Sequence, residues 1–123
     1  MFRTIRSLAI YVTDLERARE FYTHILGFEV AADIPPNLCF LKSKSGGIEI
    51  CLEGGHKPSM VDNQTARLGF FLESERTAAE AYAALKSAGV QLLQDEPEEV
   101  GEDTYCFQFT DPDGNIIEVS GKG

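Results

Sequence analysis

The stretch SLAIYVTD at residues 7–14 decides the fold, because the chain repeats its pattern later as RLGFFLES at residues 67–74. The two copies overlay without gaps at an offset of 67 − 7 = 60, and the overlay places Tyr22 on Tyr82 in the following segment. A second overlay, at an offset of 118 − 49 = 69, places Ile-Glu-Ile at 48–50 on Ile-Glu-Val at 117–119. An internal repeat of this length predicts two structural modules in tandem.

Each copy has the same predicted order of elements, namely a strand, a helix and three strands. The first helix is predicted to begin in a capping box with Thr13 as N-cap and Glu16 reaching back, and to end at Gly27 in a left-handed conformation. An acidic, Pro-containing loop at Gln94–Asp103 is predicted to lengthen the second copy, and Asp111–Gly114 is a turn signal. The predicted strands are Ile5–Val12, Phe28–Ala32, Leu38–Lys42 and Ile48–Glu53, then Leu68–Leu72, Val90–Leu93, Thr104–Phe109 and Ile116–Ser120, with the second helix at Glu75–Ala88.

The length and charge of the chain limit its domain count and its partners. A chain of 123 residues fits one domain, with a first module at about 4–54, a linker at about 55–65 and a second module at about 66–120. The net charge of −9 argues against nucleic acid and against an anionic membrane surface. Three cysteines are too few for a disulfide scaffold, and no apolar run is long enough to span a membrane. We therefore expect a cytoplasmic protein.

Several of these segments resemble the vicinal oxygen chelate superfamily, which includes glyoxalase I, extradiol dioxygenases and bleomycin-binding resistance proteins. The segments that resemble the first module of the family are residues 7–14, Phe21-Tyr22 and Leu26-Gly27-Phe28. The closing strand pair is carried by residues 107–109, 111–115 and 117–118. The resemblance covers roughly residues 4–120, and its motifs are specific for the fold rather than for a substrate.

The resemblance implies an α+β fold in which two tandem βαβββ modules form an incompletely closed, eight-stranded mixed barrel with helices on its outer face. It also implies a ligand cavity on the concave face and a homodimer. Metal-dependent members take their ligands from four equivalent strand positions, which map onto Ser7, Glu49, Arg67 and Glu118.

Strand alternation predicts which side chains line that cavity. Leu8, Ile10 and Val12, with their counterparts on the other strands, are apolar and suit the face under the helices, whereas the alternate set is mixed and polar. The predicted ligand-binding residues are Ser7, Tyr11, Glu49, Cys51, Arg67, Phe71, Cys106, Gln108 and Glu118. Phe40 is predicted either as a further aromatic wall or as part of the core.

The four family positions argue against the family metal. Ser7 and Arg67 stand where metal-binding relatives have histidine or glutamine, and only Glu49 and Glu118 remain as ligands. Two carboxylates without imidazole or thiolate do not suit a transition metal, and a guanidinium repels a cation. Arg67 has two open roles: it pairs with Glu49 or Glu118, or it holds a carboxylate or phosphate of a ligand. We expect no cofactor.

The catalytic candidates are few. Glu49 and Glu118 are the residues with general acid–base chemistry, and pairing with Arg67 or with ligand is the alternative role. Cys51 and Cys106 are predicted to be small buried side chains rather than nucleophiles. His24 and His56 are both expected on the surface, and the alternative for His56 is contact with a ligand at the rim of the pocket.

These observations predict a small-molecule binding protein that holds its ligand in the concave cavity without a metal and without chemistry. The first alternative is a metal-dependent lyase, isomerase or dioxygenase of the glyoxalase I type, with metal on Glu49, Glu118, water and Gln108. The second is a regulatory or assembly module whose cavity is filled by side chains.

Overall fold

The computed structural model describes residues 1–57 and 71–123. The chain divides into two compact units, Met1–Val61 and Asp62–Gly123. Arg67, most of the predicted linker and the start of the predicted strand Leu68–Leu72 lie outside the described residues. Within the described residues, none of the helices has the length and apolar character needed to cross a membrane.

The first unit is a four-stranded mixed sheet with one helix. Its sheet order is β1-β4-β3-β2, with β1 parallel to β4 and the other pairs antiparallel. The helix α1 continues directly into a π-helical turn, Phe21–Ile25, and Gly27 follows with φ +85° as predicted. The bounds are β1 Ser7–Tyr11, α1 Leu15–Glu20, β2 Glu29–Ile34, β3 Leu38–Lys42 and β4 Glu49–Glu53.

The helix start differs from the predicted capping box by one residue. Asp14, not Thr13, is the N-cap, and its carboxylate accepts the backbone N–H of Arg17 at 3.1 Å. Aspartate is at least as good an N-cap as threonine, so the carboxylate takes the role that the Thr13–Glu16 pattern suggested.

The second unit repeats this topology. Its main sheet order is β5-β9-β8-β6, with β5 parallel to β9. Its helix begins after Thr77, whose hydroxyl accepts the backbone N–H of Glu80, three residues later than predicted. The bounds are β5 Phe71–Glu73, α2 Ala78–Ser87, β6 Gln91–Leu92, β7 Glu98–Gly101, β8 Thr104–Thr110 and β9 Ile116–Gly121.

The strand β7 corrects the prediction that Gln94–Asp103 is a loop. It pairs antiparallel with β8, with Glu98 opposite Cys106, through a tight turn in which Asp103 has φ +48°. The acidic composition hid the strand, because all four β7 residues are exposed and none contributes to an apolar pattern. The described residues therefore hold nine strands, one more than the eight that the resemblance implies, and they form two mixed sheets. The predicted α+β class is confirmed.

The core of each unit lies between one sheet face and its helix. In the first unit the side chains of Val12, Tyr22, Leu41 and Leu52 are fully buried. In the second unit those of Phe107, Phe109 and Ile117 are fully buried. Two residues expected on this face are more exposed: Leu8 (37%) lies on the edge strand β1, and Ile48 (55%) precedes β4. The alternation of the strands thus leaves the other face of each sheet for the candidate site.

Candidate functional site

The open face of the first unit carries polar and aromatic side chains in cross-strand rows. The parallel register of β1 and β4 places Ser7 beside Glu49 and Tyr11 beside Glu53. Tyr11 is 44% exposed, so its ring is available to a ligand. Glu49 is half-buried. These strands therefore bring Ser7, Tyr11 and Glu49 to one face, as the alternation predicted.

Cys51 lies on the same strand but is not available. Its register partners are Ala9 and Phe40, and it is only 6% exposed. Burial, and secondarily the charge of Glu53, raises the pKa of its thiol. A buried thiol with a raised pKa is a poor nucleophile, so Cys51 packs rather than reacts.

His56 has more contacts than a surface residue would have. Its ring stacks on Tyr11 with the ring centroids 4.2 Å apart and the planes at 15°. Its Nε2 lies 3.3 Å from Oε1 of Glu53, within reach for an ion pair when the imidazole is protonated, but not aligned for a hydrogen bond. The side chain of His56 is 18% exposed, so the expected surface role does not describe it.

The open face of the second unit has two rows. In the first, Glu118 on β9 lies between Phe71 on β5 and Gln108 on β8. In the second, Ser120 lies between Glu73 and Cys106. Phe71 is 67% exposed, while Glu118, Gln108 and Cys106 are half-buried.

Gln108 is held in place by Gln94. The side-chain oxygen of Gln94 accepts the backbone N–H of Gln108 at 2.8 Å, and its Nε2 donates to Gln108 Oε1 at 3.5 Å. The hydroxyl of Tyr82 donates to the backbone oxygen of Gln94 at 2.6 Å. Gln94 thus bonds to β8 between the residues that pair with β6 and those that pair with β7.

Cys106 is the most accessible of the three thiols, and the described groups that act on it raise its pKa rather than lower it. Burial, and then the charge of Glu118, raises the pKa of its thiol. A nucleophilic cysteine needs a positive field or a base, and a neighbouring carboxylate has the opposite effect.

In each unit the residue that follows the first strand bonds to the last strand. Val12 N–H donates to the Glu53 oxygen at 2.9 Å, and Ser74 N–H donates to the Ser120 oxygen at 2.8 Å. The predicted lining residues that the structure describes occupy strand positions that alternate with core residues such as Ile50, Phe107 and Ile117.

The donor set does not suit the metal of metal-dependent relatives. The partner of Glu49 is Ser7, and the partners of Glu118 are Phe71 and Gln108. Over residues 1–57 and 71–123, no three His, Cys, Asp or Glu side chains come together as a metal site. A transition metal favours imidazole or thiolate ligands, and these rows offer hydroxyl, amide and carboxylate oxygen.

Two residues of these faces make contacts that the sequence does not predict. His56 is predicted on the surface or at a pocket rim, and its stacking on Tyr11 depends on the turn at Gly54-Gly55 before it. Gln94 was assigned to the acidic loop, and no sequence signal distinguishes a glutamine that caps a neighbouring strand.

Comparison with known proteins agrees with this architecture. The profile of the Glyoxalase/Bleomycin resistance protein/Dioxygenase superfamily matches residues 4–119. The uncharacterized protein YetH of Bacillus subtilis (strain 168) is 32% identical over 119 residues, covering 95% of this chain and 97% of its own.

Two crystal structures show the same fold. TnmS3, an antibiotic binding protein from Streptomyces sp. CB03234, has a TM-score of 0.79 at 24% identity, covering 99% of this chain and 98% of its own. A lactoylglutathione lyase from Agrobacterium tumefaciens has a TM-score of 0.69 at 21% identity, covering 95% and 92%. The match over nearly the whole chain shows that this protein belongs to the Glyoxalase/Bleomycin resistance protein/Dioxygenase superfamily.

Proposed function

We propose that this protein binds a small organic molecule on its open sheet faces without the metal used by part of its family. The observation that carries the proposal is the register pair Ser7–Glu49, which supplies a hydroxyl where a metal-binding relative has imidazole. The row Phe71–Glu118–Gln108 supports it, because a phenyl ring beside a carboxylate suits an organic ligand better than a cation.

The exposed aromatic rings support a binding role. Tyr11 and Phe71 are 44% and 67% exposed on faces whose neighbouring residues are polar. Aromatic rings with an open face contribute large contact area at low entropic cost. TnmS3, an antibiotic binding protein, has this fold, so the fold is compatible with holding such a ligand.

The thiols give little support to an enzyme. The pKa values of Cys51 and Cys106 are raised, chiefly by burial. Glu49 and Glu118 remain as acid–base candidates, and Arg67 remains a predicted partner for either of them. We also propose that the protein has no cofactor, forms a homodimer and is cytoplasmic. Light scattering of the purified protein tests the dimer.

The first test is metal content by mass spectrometry, combined with thermal melts in Ni²⁺, Zn²⁺, Mn²⁺ and Mg²⁺. A ligand that binds only the folded state adds about 2.7 kcal/mol at 100 times its Kd, which is a clear shift in melting temperature. We expect no stoichiometric metal and no shift. Stoichiometric metal would overturn the proposal in favour of a lyase, isomerase or dioxygenase of the glyoxalase I type.

The second test is a melt screen against a panel of antibiotics and aromatic metabolites. A binder should stabilise the wild type and lose affinity in Phe71→Ala and Glu118→Gln. The control is Glu16→Gln, which removes an exposed charge from α1. A panel without any binder would favour the module with a filled cavity.

A further inference from the structure

The turn after β4 builds a structured cluster on the open face of the first unit. Gly54 N–H donates to the Asn37 oxygen at 2.8 Å, and Gly55 has φ +81°, a conformation that favours glycine. His56 N–H then donates to the Val12 oxygen at 3.3 Å. The backbone thus fixes the place from which the imidazole reaches Tyr11.

The cluster presents one aromatic surface and one carboxylate to solvent. His56 covers one face of the Tyr11 ring, yet Tyr11 remains 44% exposed. Glu53 is the register partner of Tyr11, and its side chain is 40% exposed. The exposed side of the cluster therefore combines the Tyr11 ring, supported from behind by His56, with the neighbouring Glu53 carboxylate as a hydrogen-bond acceptor.

We propose that Tyr11, His56 and Glu53 form a ligand subsite for a planar ring that carries an N–H donor. The ring of the ligand stacks on the exposed face of Tyr11, and its N–H donates to the Glu53 carboxylate. His56 is a positioning residue that holds the Tyr11 ring in plane. This subsite rests on the proposed small-molecule binding function and specifies the chemistry of one part of the ligand.

The chemistry of the cluster predicts its selectivity. A carboxylate repels an anionic ring, and Glu49 lies on the same face of β4 with the same charge. A saturated ring loses the parallel stacking that an aromatic ring has. An aromatic amidine has both the planar ring and the N–H donor. An aromatic acid lacks the N–H donor, and an alicyclic amidine lacks the planar ring.

The test uses three probes of similar size: benzamidine, benzoate and cyclohexanecarboxamidine, titrated into ¹⁵N-labelled protein. We expect benzamidine to shift the amide signals of Tyr11, Glu53 and His56, with at least a tenfold weaker response to each of the other two. Tyr11→Leu and Glu53→Gln should each weaken benzamidine about tenfold, whereas Tyr11→Phe keeps the ring and should retain binding. His56→Ala should weaken binding with an unchanged melting temperature.

The outcomes separate the subsite from the proposed function. Benzamidine shifts confined to Phe71 and Glu118, or equal binding of all three probes, would overturn the subsite and leave small-molecule binding intact. Binding unchanged in Tyr11→Leu would also overturn it. Failure of the broad ligand panel together with no response to any of the three probes would count against the proposed function itself.

Discussion

Gly54 and Gly121 occupy equivalent places in the two units, each against the first residue of its unit's helix. A Cβ on Gly54 would lie 3.0 Å from Leu15 Cβ, and one on Gly121 would lie 3.1 Å from Ala78 N. Gly54 directly follows β4 and Gly121 ends β9, so both mark where the last strand passes beneath the helix. The close approach requires a residue without a side chain.

Gly54→Ala and Gly121→Ala should each lower the free energy of unfolding by about 1–3 kcal/mol, the usual cost of overpacking. The matched control is Gly101→Ala, where the nearest atom to a new Cβ is Thr104 Cβ at 3.9 Å. Urea unfolding measures all three. Equal stability of the three variants would show that the helices can move away without cost.

Asp111→Ala should destabilise the second unit by about 2–3 kcal/mol. The Asp111 carboxylate accepts the N–H groups of Asp113 and Asn115 and the Asn115 side-chain amide, each at 2.9 Å, and Asp111 is 4% exposed. Removing the acceptor leaves buried donors unsatisfied. Asp111→Asn should lose less, and Glu96→Ala, which removes an exposed carboxylate, should stay within about 0.5 kcal/mol in the same urea assay.

Gln94→Ala should expose one backbone amide without disturbing the fold. The Gln94 side chain is the acceptor for Gln108 N–H, so native-state hydrogen exchange at Gln108 should become faster. Gln91→Ala, an exposed residue of β6, should leave that rate unchanged. An unaltered Gln108 rate in Gln94→Ala would mean that another group protects the amide.

Cys39 should make stability depend on pH in the alkaline range. Burial, then a hydrogen bond with Asp33, raises the pKa of its thiol from 9.0 to about 11. The folded state therefore favours the neutral thiol, and its contribution is complete below pH 9 and lost as the pH rises towards 11. Urea unfolding from pH 8 to 11 should show a steeper decline for wild type than for Cys39→Ala, and parallel curves would contradict the raised pKa.

The sequence predicted the fold well because the apolar residues follow the two-residue period of strands and the 3.6-residue period of helices. Alternation identified β3 to the residue, and Gly27 marked the end of the first helix. The strand β7 was not predicted because its residues are exposed, so no apolar pattern indicates its pairing with β8. A strand held only by backbone hydrogen bonds leaves little trace in residue type.

The candidate site was predictable by face but not by register. Glu118 lies on the open face because it alternates with the buried Ile117 and Val119. The sequence overlay could not show that Phe71 is its neighbour, since register depends on the spacing of the backbone bonds. The stacking of His56 on Tyr11 depends on the turn at Gly55, which no periodicity describes.

The parallel pairing of first and last strands also affects synthesis. Within each unit, β1 bonds to β4 and β5 bonds to β9, so neighbours in the sheet are far apart along the chain. Such pairings form late, because the intervening loop must close first. A ribosome that stalls before Glu53 would hold a nascent chain whose β3 edge lacks its partner, a state in which edge strands attract other chains.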